Sequence, residues 1–146
     1  MDRRVVLAAM ATFAAAGSIG ACSSAPGGDP FRPAMVAEGH GVIYVFRSPG
    51  GALGEHAAVR VWVDDTEVEA LAAGRYLAIV AEPGDHFVRV EGEGEAVAGC
   101  RVADGDSIYL RVEVRSFGRV AIETMESASG RAQISRTVRA GSSPAR

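Results

Sequence analysis

The sequence predicts an all-β fold, a small antiparallel β-sandwich of seven or eight strands that follows a cleaved signal peptide and a tether. Three observations predict it. Apolar residues recur with a period of two, the side-chain period of strands, rather than 3.6. Gly, Pro and Asp-Gly turn signals punctuate them at short intervals. No long helical pattern interrupts the series.

The first elements are an address rather than a fold. Arg3 and Arg4 form a positive start, Val5 to Ala16 an apolar run of twelve residues, and Gly17, Ser18, Gly20 and Ala21 a small-residue exit. That is the layout of a secretory signal peptide. A membrane span needs about 20 apolar residues, more than this run supplies. The sequence Ile19-Gly20-Ala21-Cys22 resembles the bacterial lipobox. The resemblance implies cleavage after Ala21 and acylation of Cys22, whose chains would hold the protein to membrane lipid. Each buried methylene contributes about 0.8 kcal/mol, and stable anchoring takes more than one chain. The competing reading is an ordinary signal peptide that leaves no lipid. Arg3-Arg4 matches a twin-arginine signal only in part, so the general secretory route is favoured. Ser23, a non-Asp residue after the cysteine, resembles an outer-membrane sorting signal facing the periplasm.

Residues 22–38 read as the lipidated cysteine and a flexible tether, because Ser23 to Ala37 holds three prolines and two glycines. The sandwich domain is expected over 39–136 and a disordered tail over 137–146. Val42 to Phe46 is a continuous β-former run, as a strand buried on both faces would be. Val59, Val61 and Val63 alternate with Arg60, Trp62 and Asp64. Arg75 to Glu82 forms a strand, Pro83-Gly84-Asp85 a turn, and His86 to Val90 the returning strand. Gly92 and Gly94 break a charged loop before the strand Val97 to Val102. Asp104-Gly105 marks another turn. In the next strand Ile108, Leu110, Val112 and Val114 face one way, and Tyr109, Arg111, Glu113 and Arg115 the other. Ser116-Phe117-Gly118 turns the chain into Val120, Ile122 and Thr124. Ala132 to Arg136 reads as a last strand or a short helix.

The runs GVIYVFR (41–47), VRVWVDDTEVEAL (59–71), GRYLAIVAEPGDHFVRVEG (74–92) and GDSIYLRVEV (105–114) carry a family likeness. Their order resembles the bacterial lipoprotein family called domain of unknown function 2846, and the hairpin with its P-G-x-H turn is similar to PEGA-type β-sandwich modules. Pro83, Gly84 and His86 fit the turn, and Tyr109 with Val112 fits the late strand. Asp65 and Glu69 stand where the family usually has glycine, which leaves the hairpin's turn type open. The resemblance implies a lipoprotein with a β-sandwich and carries over no catalytic residue.

Composition narrows the function classes. All fifteen basic residues are Arg, against eighteen acids, for a net charge of −3. After removal of residues 1–21 the mature chain holds 13 Arg and 17 acids, a net −4. No basic surplus exists to displace counterions from a phosphate backbone, so nucleic acid is not an expected partner. Cys100 reads as a small core hydrophobe; catalysis would require an activating base, and His86 is the nearest in sequence. A Cys22–Cys100 disulfide becomes an option only if Cys22 is not lipidated. His40, His56 and His86 lack metal-ligand spacing. Asp104 and Asp106 read as turn formers. Gly50, Gly51 and Gly54 lack the lysine of a phosphate loop. No cofactor motif is present. Trp62, Tyr109, Arg111 and Arg115 fall on outward strand faces and form the candidate binding surface, since aromatic residues and Arg dominate binding hot spots; the competing reading is a solvated sheet with Arg111 or Arg115 paired to Glu123. The sequence therefore suggests a non-catalytic, membrane-anchored envelope module. Its partner would be an envelope protein or, alternatively, a carbohydrate such as peptidoglycan; a thiol enzyme using Cys100 is the third reading.

Overall fold

The computed structural model describes residues 28–49 and 58–140. The expected signal peptide with Ala21 and Cys22, the glycine-rich segment with His56, and residues 141–146 lie outside that description. Among the described residues the order is β1 (Gly41–Phe46), β2 (Val59–Val63), β3 (Thr66–Leu71), β4 (Arg75–Ala81), β5 (Gly84–Glu91), β6 (Glu95–Val102), β7 (Ser107–Val114), a 3₁₀ turn (Ser116–Gly118), β8 (Val120–Met125), α1 (Ser127–Ile134) and β9 (Val138–Arg139). No helix among them is long and apolar enough to cross a membrane.

The strands form two sheets: sheet A, in the order β8-β7-β1-β4-β9, and sheet B, in the order β3-β2-β5-β6. The all-β sandwich expectation holds, with two corrections. Nine strands are present among the described residues rather than seven or eight, the ninth only two residues long. The assembly is not wholly antiparallel: β1 runs parallel to β7, and β4 parallel to β9. The first parallel pair arises because the chain leaves sheet A after β4, builds β5 and β6 in sheet B, and returns beside β1.

Alternation sets the layers. Ile43, Val45, Val59, Val61, Leu71, Leu77, Val88, Val90, Leu110 and Val112 meet between the sheets. Val42, Tyr44, Phe46, Tyr76 and Tyr109 point out of sheet A and form a second cluster with Ile134 of α1. β1 is therefore buried along its whole length, as its unbroken apolar run requires. Two segments cover the second cluster. Phe31, Ala34 and Val36 pack on it from the N-terminal side, with the Phe31 ring edge-on to Tyr44 at 5.3 Å and to Tyr76 at 5.2 Å. α1 covers the β7 side, where Gly130 sits so close to Tyr109 that an added Cβ would stand 2.5 Å from the tyrosine Cβ.

These contacts correct two boundaries. The expected tether is packed structure from Pro30 onward: Pro30 bridges to Val138, and the Ala34 N–H donates to the Tyr44 hydroxyl at 2.8 Å. Proline content favours extended chain, and here an extended chain lies flat on aromatic rings. The expected tail also begins later, because Thr137 and Ala140 are buried around β9. Residues 132–136 resolve into the end of α1 and the turn after it.

The hairpin from β2 to β3 turns on Asp64 and Asp65, both at positive φ, 47° and 63°. That is the pairing a two-residue primed turn demands, with Asp in place of the preferred Asn-Gly. Asp visits this region at some cost, and the Asp64 side chain is anchored there.

Candidate functional site on the bare face of sheet B

The outer face of sheet B has no covering segment among the described residues like those on sheet A. β2 lies between β3 and β5, with β6 beyond β5. Strand register places Glu67, Trp62, Arg89 and Val97 in one row across the four strands. The next row carries Ala70, Arg60, Glu91 and Glu95. Phe87, two residues before Arg89, lies against Gly99 on the neighbouring strand. Phe87 and Val97 are 59% and 56% exposed, so this face carries large apolar surface in solvent. A residue inserted in β3 opposite Val61 shifts the register between Arg60 and Trp62, and such a bulge twists an edge strand away from further pairing.

Trp62 is half-buried beneath arginines. The Arg89 guanidinium lies 4.7 Å from its ring centroid and that of Arg60 5.9 Å. The arginines are held by acids: Arg60 by Glu91 at 2.8 Å, and Arg89 by Glu91 at 2.9 Å and Glu95 at 3.7 Å. The charges largely neutralise one another, and the product is an indole under two ion-paired cations. The Trp62 Nε1–H is enclosed with no hydrogen-bond partner among the described residues, an arrangement that costs about 1–3 kcal/mol.

The four residues expected to form one binding surface do not come together. Trp62 is on sheet B. Tyr109 points out of sheet A, as its alternation indicates, but that face is covered: the ring is buried, stacks on Tyr44 at 5.1 Å and lies beneath α1. Burial pushes its hydroxyl pKa up. Arg111 binds Gln133 beside it at 3.0 Å and pairs with Glu113 and with Glu123, its register partner on β8. Arg115 reaches Glu113 at 3.4 Å. The two arginines thus belong to a paired sheet surface. Outward orientation is legible in the sequence; the helix that closes over it is not.

The residues left outside that surface also have defined places. Asp106 accepts the Ala103 N–H at 3.0 Å within its own turn, whereas Asp104 accepts the Gly39 N–H at 2.9 Å and ties that turn to the segment before β1. His40 lies 3.3 Å from the Glu38 carbonyl. No group of three or more metal-ligating side chains converges among the described residues.

Cys100 and His86 are brought together: they are direct register partners on β6 and β5. Their separation along the chain gives no hint of it. The pairing nonetheless lacks the makings of a nucleophile. The His86 Nδ1 is 2.5 Å from Asp64 Oδ2 and its Nε2 2.6 Å from the Glu82 carbonyl, so both ring nitrogens are engaged away from sulfur. Cys100 packs against the inter-sheet core, and burial, reinforced by the nearby Asp64 charge, pushes its thiol pKa up. A raised pKa disfavours the thiolate that would react.

Comparison with protein-family models, with curated proteins and with solved structures returns no match. Function must therefore be argued from the chemistry of the two sheet faces.

Proposed function

We propose that this chain is a lipid-anchored envelope lipoprotein without a catalytic role, whose sandwich presents the outer face of sheet B to a partner protein. One observation carries the reading. Both sheets turn aromatic side chains outward, and among the described residues only sheet A has them covered. The bare face keeps Phe87 and Val97 exposed beside Trp62. Large exposed apolar groups next to a Trp–Arg stack have the composition of a binding hot spot. The unsatisfied indole N–H adds to it, since a fold gains no stability from such a group. The anchor rests on Ile19-Gly20-Ala21-Cys22.

A protein partner is favoured over a glycan by the place of Arg89. Its guanidinium occupies the indole face on which a sugar ring would stack. A sugar would have to displace an arginine held by two glutamates.

The test is site-specific photocrosslinking in the full-length protein in its native envelope. A crosslinker at Phe87 or Val97 is expected to give one discrete adduct, and the same group at Val80 on sheet A none. Equal yields from both sheets, or no adduct from sheet B, would refute the assignment. Cys22→Ala is expected to abolish fatty-acid labelling; labelling that persists would remove the anchor from the proposal.

A further inference from the structure

We propose that His86 is a proton-operated latch: its doubly protonated ring ties the β2–β3 turn to the β4–β5 turn and fixes the Phe87 end of the bare face. The geometry is a closed circuit. The Nδ1–H donates to Asp64 Oδ2 at 2.5 Å, and the Nε2–H to the Glu82 carbonyl at 2.6 Å. The other Asp64 oxygen accepts the Phe87 N–H at 2.9 Å, while the Asp64 N–H donates to the Phe87 carbonyl at 3.0 Å. One carboxylate therefore holds a turn at positive φ, a histidine and the backbone of the most exposed aromatic on the face.

Both acceptors can be satisfied only by the imidazolium, because a neutral imidazole has one N–H. When the proton leaves, one of the two contacts sets a ring lone pair against an oxygen lone pair, and that contact opens. Whichever opens, the bridge between the turns is lost.

The surrounding charges favour the closed form. The β2–β3 turn contributes Asp64, with Asp65 beside it. On β5, Asp85 adds negative charge near the ring and is itself held by Arg101 of β6 at 3.2 Å. From β6 the ring faces Cys100, and the β4–β5 turn presents the Glu82 backbone carbonyl. The hydrogen bond to Asp64, then that to Glu82, raise the His86 pKa above the ordinary 6.5. The Phe87 N–H, then His86, lower that of Asp64 below 3.8. The sign follows from linkage. The histidine's contribution is complete below about 6.5 and disappears as pH rises through the raised value. The aspartate's is complete above its unfolded value and disappears as pH falls through the lowered one. The latch is closed between these limits and opens on the alkaline side.

The consequence for binding rests on the reading of sheet B as the partner surface, but the latch is measured without a partner. Full-length protein in detergent micelles, labelled with ¹⁵N-histidine, reports ring protonation directly. His86 is expected to carry protons on both nitrogens at pH 6.5 and to titrate above that ordinary histidine value. As it titrates, the amides of residues 64–66, 82 and 84–86, corrected for intrinsic exchange, should lose roughly tenfold in protection, the loss expected from one charge-assisted hydrogen bond. Asp64→Asn keeps a residue suited to positive φ and removes the charge; it should bring the His86 titration down and flatten the protection profile. A neutral ring tautomer at pH 6.5, or an Asp64→Asn protein with an unmoved titration, would overturn the latch. Crosslinking from Phe87 that persists in such a protein would leave the binding surface standing without it.

Discussion

The two outward faces of this sandwich both present aromatic side chains and end differently. Sheet A presents Tyr44, Phe46, Tyr76 and Tyr109, and the chain covers them with Phe31, Ala34, Val36 and α1. Sheet B presents Trp62, Phe87 and Val97 beneath and between arginine–glutamate pairs. On the first face the aromatics supply folding energy. On the second, ion pairs keep the strands soluble and leave two large apolar side chains in water. Substitutions of like size on the two faces should therefore separate stability from binding.

The largest expected effect is at the centre of the covered face. Tyr44 is fully buried, stacks on Tyr109 and holds the Ala34 N–H. Tyr44→Ala should lower unfolding free energy by about 3–5 kcal/mol in urea titration. Gly130→Ala comes next. Its Cβ would stand 2.6 Å from Tyr109 Cγ, on a part of the ring that cannot swing aside. Helix α1 must lift, and overpacking of this kind costs about 1–3 kcal/mol. If Gly130→Ala instead stabilises the protein, as a mid-helix Gly-to-Ala change does where space is free, α1 is not seated on Tyr109.

Phe31→Ala sharpens the comparison at the N-terminal edge. Two edge-to-face contacts and partial burial predict a loss of about 2 kcal/mol. A free tether would predict none. The gap between those values shows what can be seen in the sequence and what cannot. Strands buried on one face announce themselves by alternation: Ile108, Leu110 and Val112 go to the core and Tyr109 to the outer face, as their spacing requires. β3 does not, because Thr66 to Ala70 is exposed along an edge and has no apolar stripe to betray it. Phe31 sits among prolines, where composition speaks only of extended backbone and not of what lies beneath it. α1 has a glycine in its middle and a weak apolar stripe, so it is held by Tyr109 and Ile134 rather than by propensity. With neither cover legible, Tyr109 reads as a residue of an open surface. The Asp64–His86–Cys100 neighbourhood is hidden for another reason: it needs both the β5–β6 register that sets His86 opposite Cys100 and the seating of the β2–β3 turn against β5, a contact between two hairpins that no local pattern encodes.

The smallest stability effect is expected on the bare face, and there the contrast is most exposed to failure. Phe87 rests against Gly99 with more than half its surface in water, and it lies opposite no large side chain on β6. Phe87→Ser should change unfolding free energy by no more than about 0.5 kcal/mol, the range of ordinary surface substitutions, while a crosslinker kept at Val97 loses its adduct. The two readouts answer different questions. A loss above about 1.5 kcal/mol, outside that surface range, would mean that Phe87 shields the Gly99 backbone and belongs to the fold, so its exposure would say nothing about a partner. Unchanged stability with an unchanged Val97 adduct would confine the contact to the β6 side of the sheet, away from the His86 latch. Only the expected pair of results makes Phe87 an apolar group kept in water for something other than stability.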